Sequence, residues 1–148
     1  MRTALIDSPI DTAALVAEVA RGANGATLVF IGTVREVNDG RPVTGIEYSA
    51  YRSMAERELA DVAREASEQF KTTDIVIEHR LGTLEIGEAS VAIAVAHAHR
   101  GLAYEASRYV IEQLKKRVPI WKLEHYVDGT REWVGAGIGQ PSAGARAS

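Results

Sequence analysis

Ser90-Val-Ala-Ile-Ala-Val-Ala-His-Ala-His99 is the stretch on which the fold turns. Successive side chains of a strand point to opposite faces. Val91, Ile93 and Val95 therefore share one face with His97 and His99, while Ala92, Ala94, Ala96 and Ala98 line the other. β-Branched residues at alternate positions favour a strand, and an all-alanine face lets a helix pack close against the sheet. Directly after it, Gly101 to Arg117 repeats Ala103, Ala106, Val110 and Leu114 at helical spacing, the buried stripe of an amphipathic helix. Pro119 disfavours helix at Val118, so the chain turns there.

Working outward, Asp74 to Leu81 reads as a strand, separated from Ser90 by a turn region from Gly82 to Gly87. Ser53 to Phe70 is a helix, with Met54, Leu59, Val62, Ala66 and Phe70 in register. Val43 to Tyr51 and Ala26 to Arg35 are strands flanking the Asn38-Asp39-Gly40 turn. In the latter, Thr27, Val29, Ile31 and Thr33 oppose Leu28, Phe30 and Val34. Asp11 to Arg21 is a short helix that Ser8 or Asp11 can cap. Trp121 to Val127 and Arg131 to Val134 flank Asp128-Gly129, a hairpin signal. The order β-α-β-β-α-β from 43 to 127 is similar to a split βαβ. It predicts an α+β fold, with a mixed or antiparallel sheet and helices packed on it. One domain is expected over 1–134. The Gly, Ala and Ser-rich residues 135–148 have no periodicity and read as a flexible tail.

At 148 residues, 46% hydrophobic and 25% charged, the chain has the balance of a soluble globular domain. It carries no run of about 20 apolar residues for a membrane helix. Met1 to Asp7 lacks an apolar signal core, and the absence of cysteine fits the cytoplasm. A net charge of −3 and 6% aromatics argue against an RNA-binding split βαβ, so no nucleic acid is expected. Charge is nonetheless uneven. Arg100, Arg108, Lys115, Lys116, Arg117 and Lys122 face only Glu105 and Glu112 in that stretch, a basic island that suits an anionic ligand.

His99-Arg100 stands where a strand gives way to a helix N-terminus, whose free N–H groups and partial positive charge suit an anion. His97-x-His99 puts two imidazoles on one face, but with no third ligand nearby and no cysteine, no metal site is expected. Lys115 shares a helix stripe with Tyr104, Arg108 and Ile111, and Lys122 follows Pro119 and Trp121. A lysine shielded from water beside another cation has a lowered pKa, which makes its amine a usable nucleophile or acid–base group. An alternative is a non-catalytic α+β module that binds a nucleotide or other anion through the same island.

Phe30-Ile-Gly-Thr-Val-Arg35, His99-Arg100 and Leu114-Lys-Lys-Arg-Val-Pro-Ile-Trp-Lys-Leu-Glu124 resemble, in order and spacing, three hallmark blocks of the molybdopterin synthase large (catalytic) subunits. The resemblance implies an α/β-hammerhead type of α+β fold and a homodimer at the core of a heterotetramer. Each large subunit would bind a small ubiquitin-like sulfur carrier. The implied reaction converts cyclic pyranopterin monophosphate into molybdopterin, with dithiolene sulfurs delivered by the carrier's C-terminal Gly-Gly thiocarboxylate. No resident cofactor is implied. By matching positions, Lys115 and Lys122 resemble catalytic lysines. Thr33, Val34, Arg35, His99, Arg100, Leu123 and Glu124 resemble substrate-binding residues, with Phe30 as a pocket wall. One departure is that Trp133-Val134 is followed by uncharged Gly135 to Gln140, where family members often carry a further basic residue. Sulfur from a partner also agrees with a chain that has no cysteine of its own.

Overall fold

The computed structural model describes residues 1–134, and the tail expected at 135–148 lies outside the described residues. The elements in order are β1 (Arg2–Ile6), α1 (Thr12–Val19), β2 (Ala26–Thr33), β3 (Val37–Asn38), β4 (Arg41–Ala50) and α2 (Arg52–Phe70). They continue with β5 (Ile75–Arg80), β6 (Gly82–Glu85), β7 (Ala89–His97), α3 (Arg100–Arg117), β8 (Ile120–Tyr126) and β9 (Arg131–Val134).

Strand β7 is central, as its alternation requires. It lies between β5 and β2, both antiparallel to it, in a sheet ordered β1-β5-β7-β2 whose β1–β5 pair is parallel. Its Val91, Ile93 and Val95 join Ile75 and Ile77 of β5 beneath α2 and α3, which contribute Leu59, Val62, Ala66, Val110 and Leu114. On the opposite face, Ala92, Ala94 and Ala96 receive Leu15 and Val19 of α1. Methyl side chains bring this short helix close to the sheet. Asp11 caps it, accepting from the Ala14 N–H at 3.1 Å.

The second sheet runs β3-β4-β8-β9, with β6 also paired to β4. The β-α-β-β-α-β order expected over 43–127 is present with one addition. Its strands divide between two sheets, β5 and β7 in the first and β4 and β8 in the second. The addition is β6, in the region read as a turn. Gly82 (φ 98°) and Gly87 (φ 86°) are turn residues at its two ends, but the four residues from Gly82 pair with distant β4, Gly45 opposite Glu85. A second apolar cluster includes Val43, Ile46, Tyr48, Leu84 and Tyr126. Leu5, Ala50 and Ile120 touch both it and the helix-covered core, so the sheets share one continuous interior.

Strand β2 is only partly covered. It ends the first sheet's order, and Val29, Phe30 and Ile31 are 40%, 39% and 41% exposed. Beside it a cleft of about 720 Å³ opens toward Tyr104, Arg108 and Ile111 of α3. His99, read as a strand residue, instead stands before the first turn of α3, which starts at Arg100. No helix of the described residues is long and apolar enough to cross a membrane.

Candidate active site

Lys115 lies in the last turn of α3 and Lys122 on β8, and the turn at Val118-Pro119 folds one back toward the other. Both line a cleft of about 190 Å³. Its walls come from the end of β2 (Phe30, Gly32, Thr33), Arg35 beyond it, β3 (Val37, Asn38) and β4 (Ile46, Tyr48). The start of β7 (Ser90, Val91) and Glu124 of β8 complete them. Gly32 lets β2 lie close against β7 at the cleft wall. A Cβ there would sit 2.7 Å from Val91 Cγ1, so one of the two would have to shift.

The electrostatics follow from enclosure. Lys115 as a residue remains solvent-accessible. Burial of its ammonium nevertheless pulls its pKa below the usual lysine value, and the charge of Lys122 pulls the same way. Behind the pair, His79 is buried, with Nδ1 2.9 Å from the Arg80 carbonyl oxygen. Burial pushes its pKa down to about 4 against that hydrogen bond, and the Lys115 charge adds to the fall. Its ring meets Tyr48 edge-on, centroids 5.2 Å apart. Burial raises the Tyr48 phenol, a Ser90 hydrogen bond opposes this, and the Glu124 charge reinforces it. Glu124 is only 2% exposed. Its Oε2 accepts from Asn38 Nδ2 and from the Tyr126 hydroxyl, each at 2.8 Å, and its Oε1 lies 4.0 Å from Lys122 Nζ.

Of the residues singled out from sequence, Thr33, Arg35, Lys115, Lys122 and Glu124 line this cleft, with Phe30 as part of its wall. Val34 and Leu123 flank it in the chain but are buried, Val34 in the second apolar cluster. His99 and Arg100 lie elsewhere, around a shallow depression with Gly25, Ala98 and Gly101. Lys115 is fifteen residues further along α3, about 22 Å at helical rise. One chain therefore does not bring His99-Arg100 to the lysines. Both ring nitrogens of His97 are engaged: Nε2 is 2.9 Å from the Phe70 carbonyl oxygen, and Nδ1 accepts from the His99 N–H at 2.9 Å. The basic island also disperses. Arg117 pairs with Glu58 and Glu65 of α2, Arg108 lines the apolar cleft, and only Lys115 and Lys122 enter the smaller one.

Sequence reasoning missed Asn38, Tyr48 and Ser90. Tyr48 stands directly opposite Lys122 across the β4–β8 pair, a register that local periodicity does not report. Asn38 carried a signal, the turn that begins with it, but was read only as turn chemistry.

Two lysines, one with a lowered pKa, beside an oriented carboxylate and an arginine are the groups that acid–base or nucleophilic chemistry on an anion would use. The model of the MoaE protein family matches residues 5–117. A molybdopterin synthase catalytic subunit of Halalkalibacterium halodurans is 45% identical over 134 residues, 90% of this chain and 85% of that one. The Bacillus subtilis subunit of the same name is 43% identical with the same coverage. The crystal structure of molybdopterin synthase from Staphylococcus aureus superposes with a TM-score of 0.84 at 40% identity, over 88% of this chain and 95% of that one. A Helicobacter pylori structure, 24% identical with a TM-score of 0.70, shares the fold over 90% and 89%. The chain belongs to the MoaE family, whose relatives here are molybdopterin synthase catalytic subunits.

Proposed function

We propose that the chain is the catalytic subunit of a molybdopterin synthase, working in the cytoplasm on cyclic pyranopterin monophosphate. The observation that carries the reading is the Lys115–Lys122 pair, with the Lys115 amine depressed by burial, in the cleft that Arg35 and Glu124 also line. Arg35 would hold the anionic end of the substrate. Lys115 would serve as acid–base or nucleophilic group, and Lys122 would stabilise the thiocarboxylate through its attack and the carrier's release. Each sulfur enters bonded to the carrier's terminal acyl carbon and attacks the pterin side chain, displacing oxygen. Water then cleaves the acyl–sulfur bond, leaving sulfur on the pterin and a carboxylate on the carrier. Two carriers serve each product. A second subunit is in keeping with the Helicobacter pylori protein of like fold, solved as a complex of subunits 1 and 2 of molybdopterin-converting factor.

The same reading includes a homodimer. The outer edge of β2 is apolar and solvent-exposed, and such an edge is a template for pairing. Pair β2 antiparallel with its own copy about Val29 and Phe30, and Ala26 of the copy meets Thr33. Ala26 pairs with His97 inside each chain, and Gly25 adjoins His99 and Arg100. The twofold would carry His99 and Arg100 of the partner subunit toward the Thr33–Arg35 end of the lysine cleft. The split between the two candidate groups then becomes a division of labour between subunits.

The test is anaerobic incubation with the pyranopterin and a thiocarboxylated carrier, read by mass spectrometry. Dithiolene product that depends on the carrier's terminal Gly-Gly is expected. Turnover from free sulfide at the same rate would remove the carrier from the mechanism, and absence of product under any condition would favour the anion-binding module.

A further inference from the structure

Hairpin β3–β4 turns through Asp39 (φ 49°) and Gly40 (φ 76°), both left-handed, the two-residue turn that matches strand twist. This tight geometry carries Asn38 out of the turn and into the cleft wall. Across the hairpin from it, Arg41 stacks over the Tyr126 ring, 3.5 Å from its centroid, and pairs with Glu132 at 2.9 Å. The hairpin is thus pinned to β8 and β9 independently of Asn38, so the Asn38 amide meets Glu124 from a fixed base.

A buried carboxylate must have its oxygens satisfied. An oxygen of this kind accepts about two hydrogen bonds. Oε2 of Glu124 has both, from Asn38 and Tyr126, and Oε1 is the oxygen turned to Lys122. Removing one donor from Oε2 frees the carboxylate to rotate about its last torsion, which is soft. Lys122 would then lose the counter-charge that faces it at 4.0 Å.

We propose that Asn38 is a positioning residue, holding Glu124 so that its free oxygen aims at Lys122; this rests on the cleft being the sulfur-transfer site. Asn38 acts through Glu124 and touches no reacting atom. Its effect belongs to the step in which Lys122 is used, so it is read in kcat and not in KM.

The experiment takes the full chain with thiocarboxylated carrier and pyranopterin. It compares Asn38→Ala, Asn38→Asp, Glu124→Gln, Lys122→Ala and the Asn38→Ala/Glu124→Gln double variant, with thermal melts of each. A charge-assisted hydrogen bond predicts a fall in kcat of about ten- to a hundredfold for Asn38→Ala with KM within about threefold. Asn38→Asp keeps the shape and the turn preference but replaces the donor with an anion, and is expected to lose at least as much. In the Glu124→Gln background, removing Asn38 should cost less than about threefold more, because its target is already altered. Wild-type kcat in Asn38→Ala, full multiplication of the two effects, or losses explained by folded fraction alone would each overturn the proposal. If Lys122→Ala retains full activity, the reading of the cleft falls and takes this proposal with it. If Lys122→Ala is inactive while Asn38→Ala is not, only the positioning role falls.

Discussion

The two ends of α3 carry the same kind of side chain in opposite settings. At the C-terminal end, Lys115 faces Lys122, and Tyr48, Ser90, Asn38 and Glu124 enclose the cleft with them. At the N-terminal end, Arg100 stands exposed in a shallow depression whose other members are Gly25, Ala98, His99 and Gly101. Cations at a helix C-terminus gain from the macrodipole and cations at an N-terminus lose. Arg100 is therefore placed where an anion is welcome and an unpaired cation is not. A chemical site needs walls that exclude water, whereas a site for a charged handle needs only reach. The first end looks finished, and the second waits for something to close it.

Breaking the comparison begins at the enclosed end. Lys115→Ala should lower dithiolene formation by about 10²–10⁴-fold, the usual span of a lost acid–base group, with melting temperature and carrier binding unchanged. Activity within a few-fold of wild type would strip Lys115 of its role. At the open end, Arg100→Ala should weaken substrate binding about ten- to a hundredfold with the fold intact. Mixing the two variants, at substrate low enough that Arg100→Ala alone is nearly silent, sharpens the point. If each site draws on both subunits, mixed dimers regain one intact site, and activity should return to about a quarter of wild type. No recovery after verified subunit exchange would confine each site to one chain.

A third prediction concerns acid. His79 sits behind the lysine cleft with a folded pKa of about 4, below its ordinary 6.5. Between those values the unfolded chain binds the extra proton, so stability rises with pH across the window and falls as pH drops from 6.5 toward 4. The full loss is about 3 kcal/mol. His79→Gln should flatten the corresponding slope in urea midpoints measured from pH 7 to pH 4, and an unchanged slope would assign it to other groups. The smallest effect is expected at Lys116, adjacent to Lys115 in sequence but absent from the cleft lining. Lys116→Ala should change stability by less than about 0.5 kcal/mol and leave turnover near wild type. A large loss would mean that charge in the island matters irrespective of position.

How much of this was legible without coordinates varies by residue. The alternation from Val91 to Ala96 gave β7 with both faces assigned, and the alanine face does receive a helix, α1. The stripe Ala103, Ala106, Val110 and Leu114 is buried as read. These patterns are local, so periodicity reports them. Strand β6 was not legible because its four residues become strand only through pairing with β4, between glycines that signal turns. Within the cleft, the lysines, Arg35 and Glu124 were reached through the family's motif blocks. Tyr48, Ser90 and Asn38 join them through cross-strand register and a long-range hydrogen bond, information carried by no segment alone. The exposure of β2 was missed for a related reason: alternating apolar residues look the same at an edge as in a centre.

Strand order also bears on how the chain is made. The first sheet takes β1 and β2 from the start of the sequence and joins them to β5 and β7; Leu28 finds its place only beside Val95. At ribosomal speeds of about 5–20 residues per second, β2 waits roughly 3–13 s between its own synthesis and that of its partner. Through that interval a newborn strand of Leu28, Val29, Phe30 and Ile31 lacks β7, the strand it pairs with. Non-local pairing of this kind also folds slowly once the chain is complete. The same apolar edge that offers the finished protein a surface for pairing makes the nascent one a client for protection against aggregation.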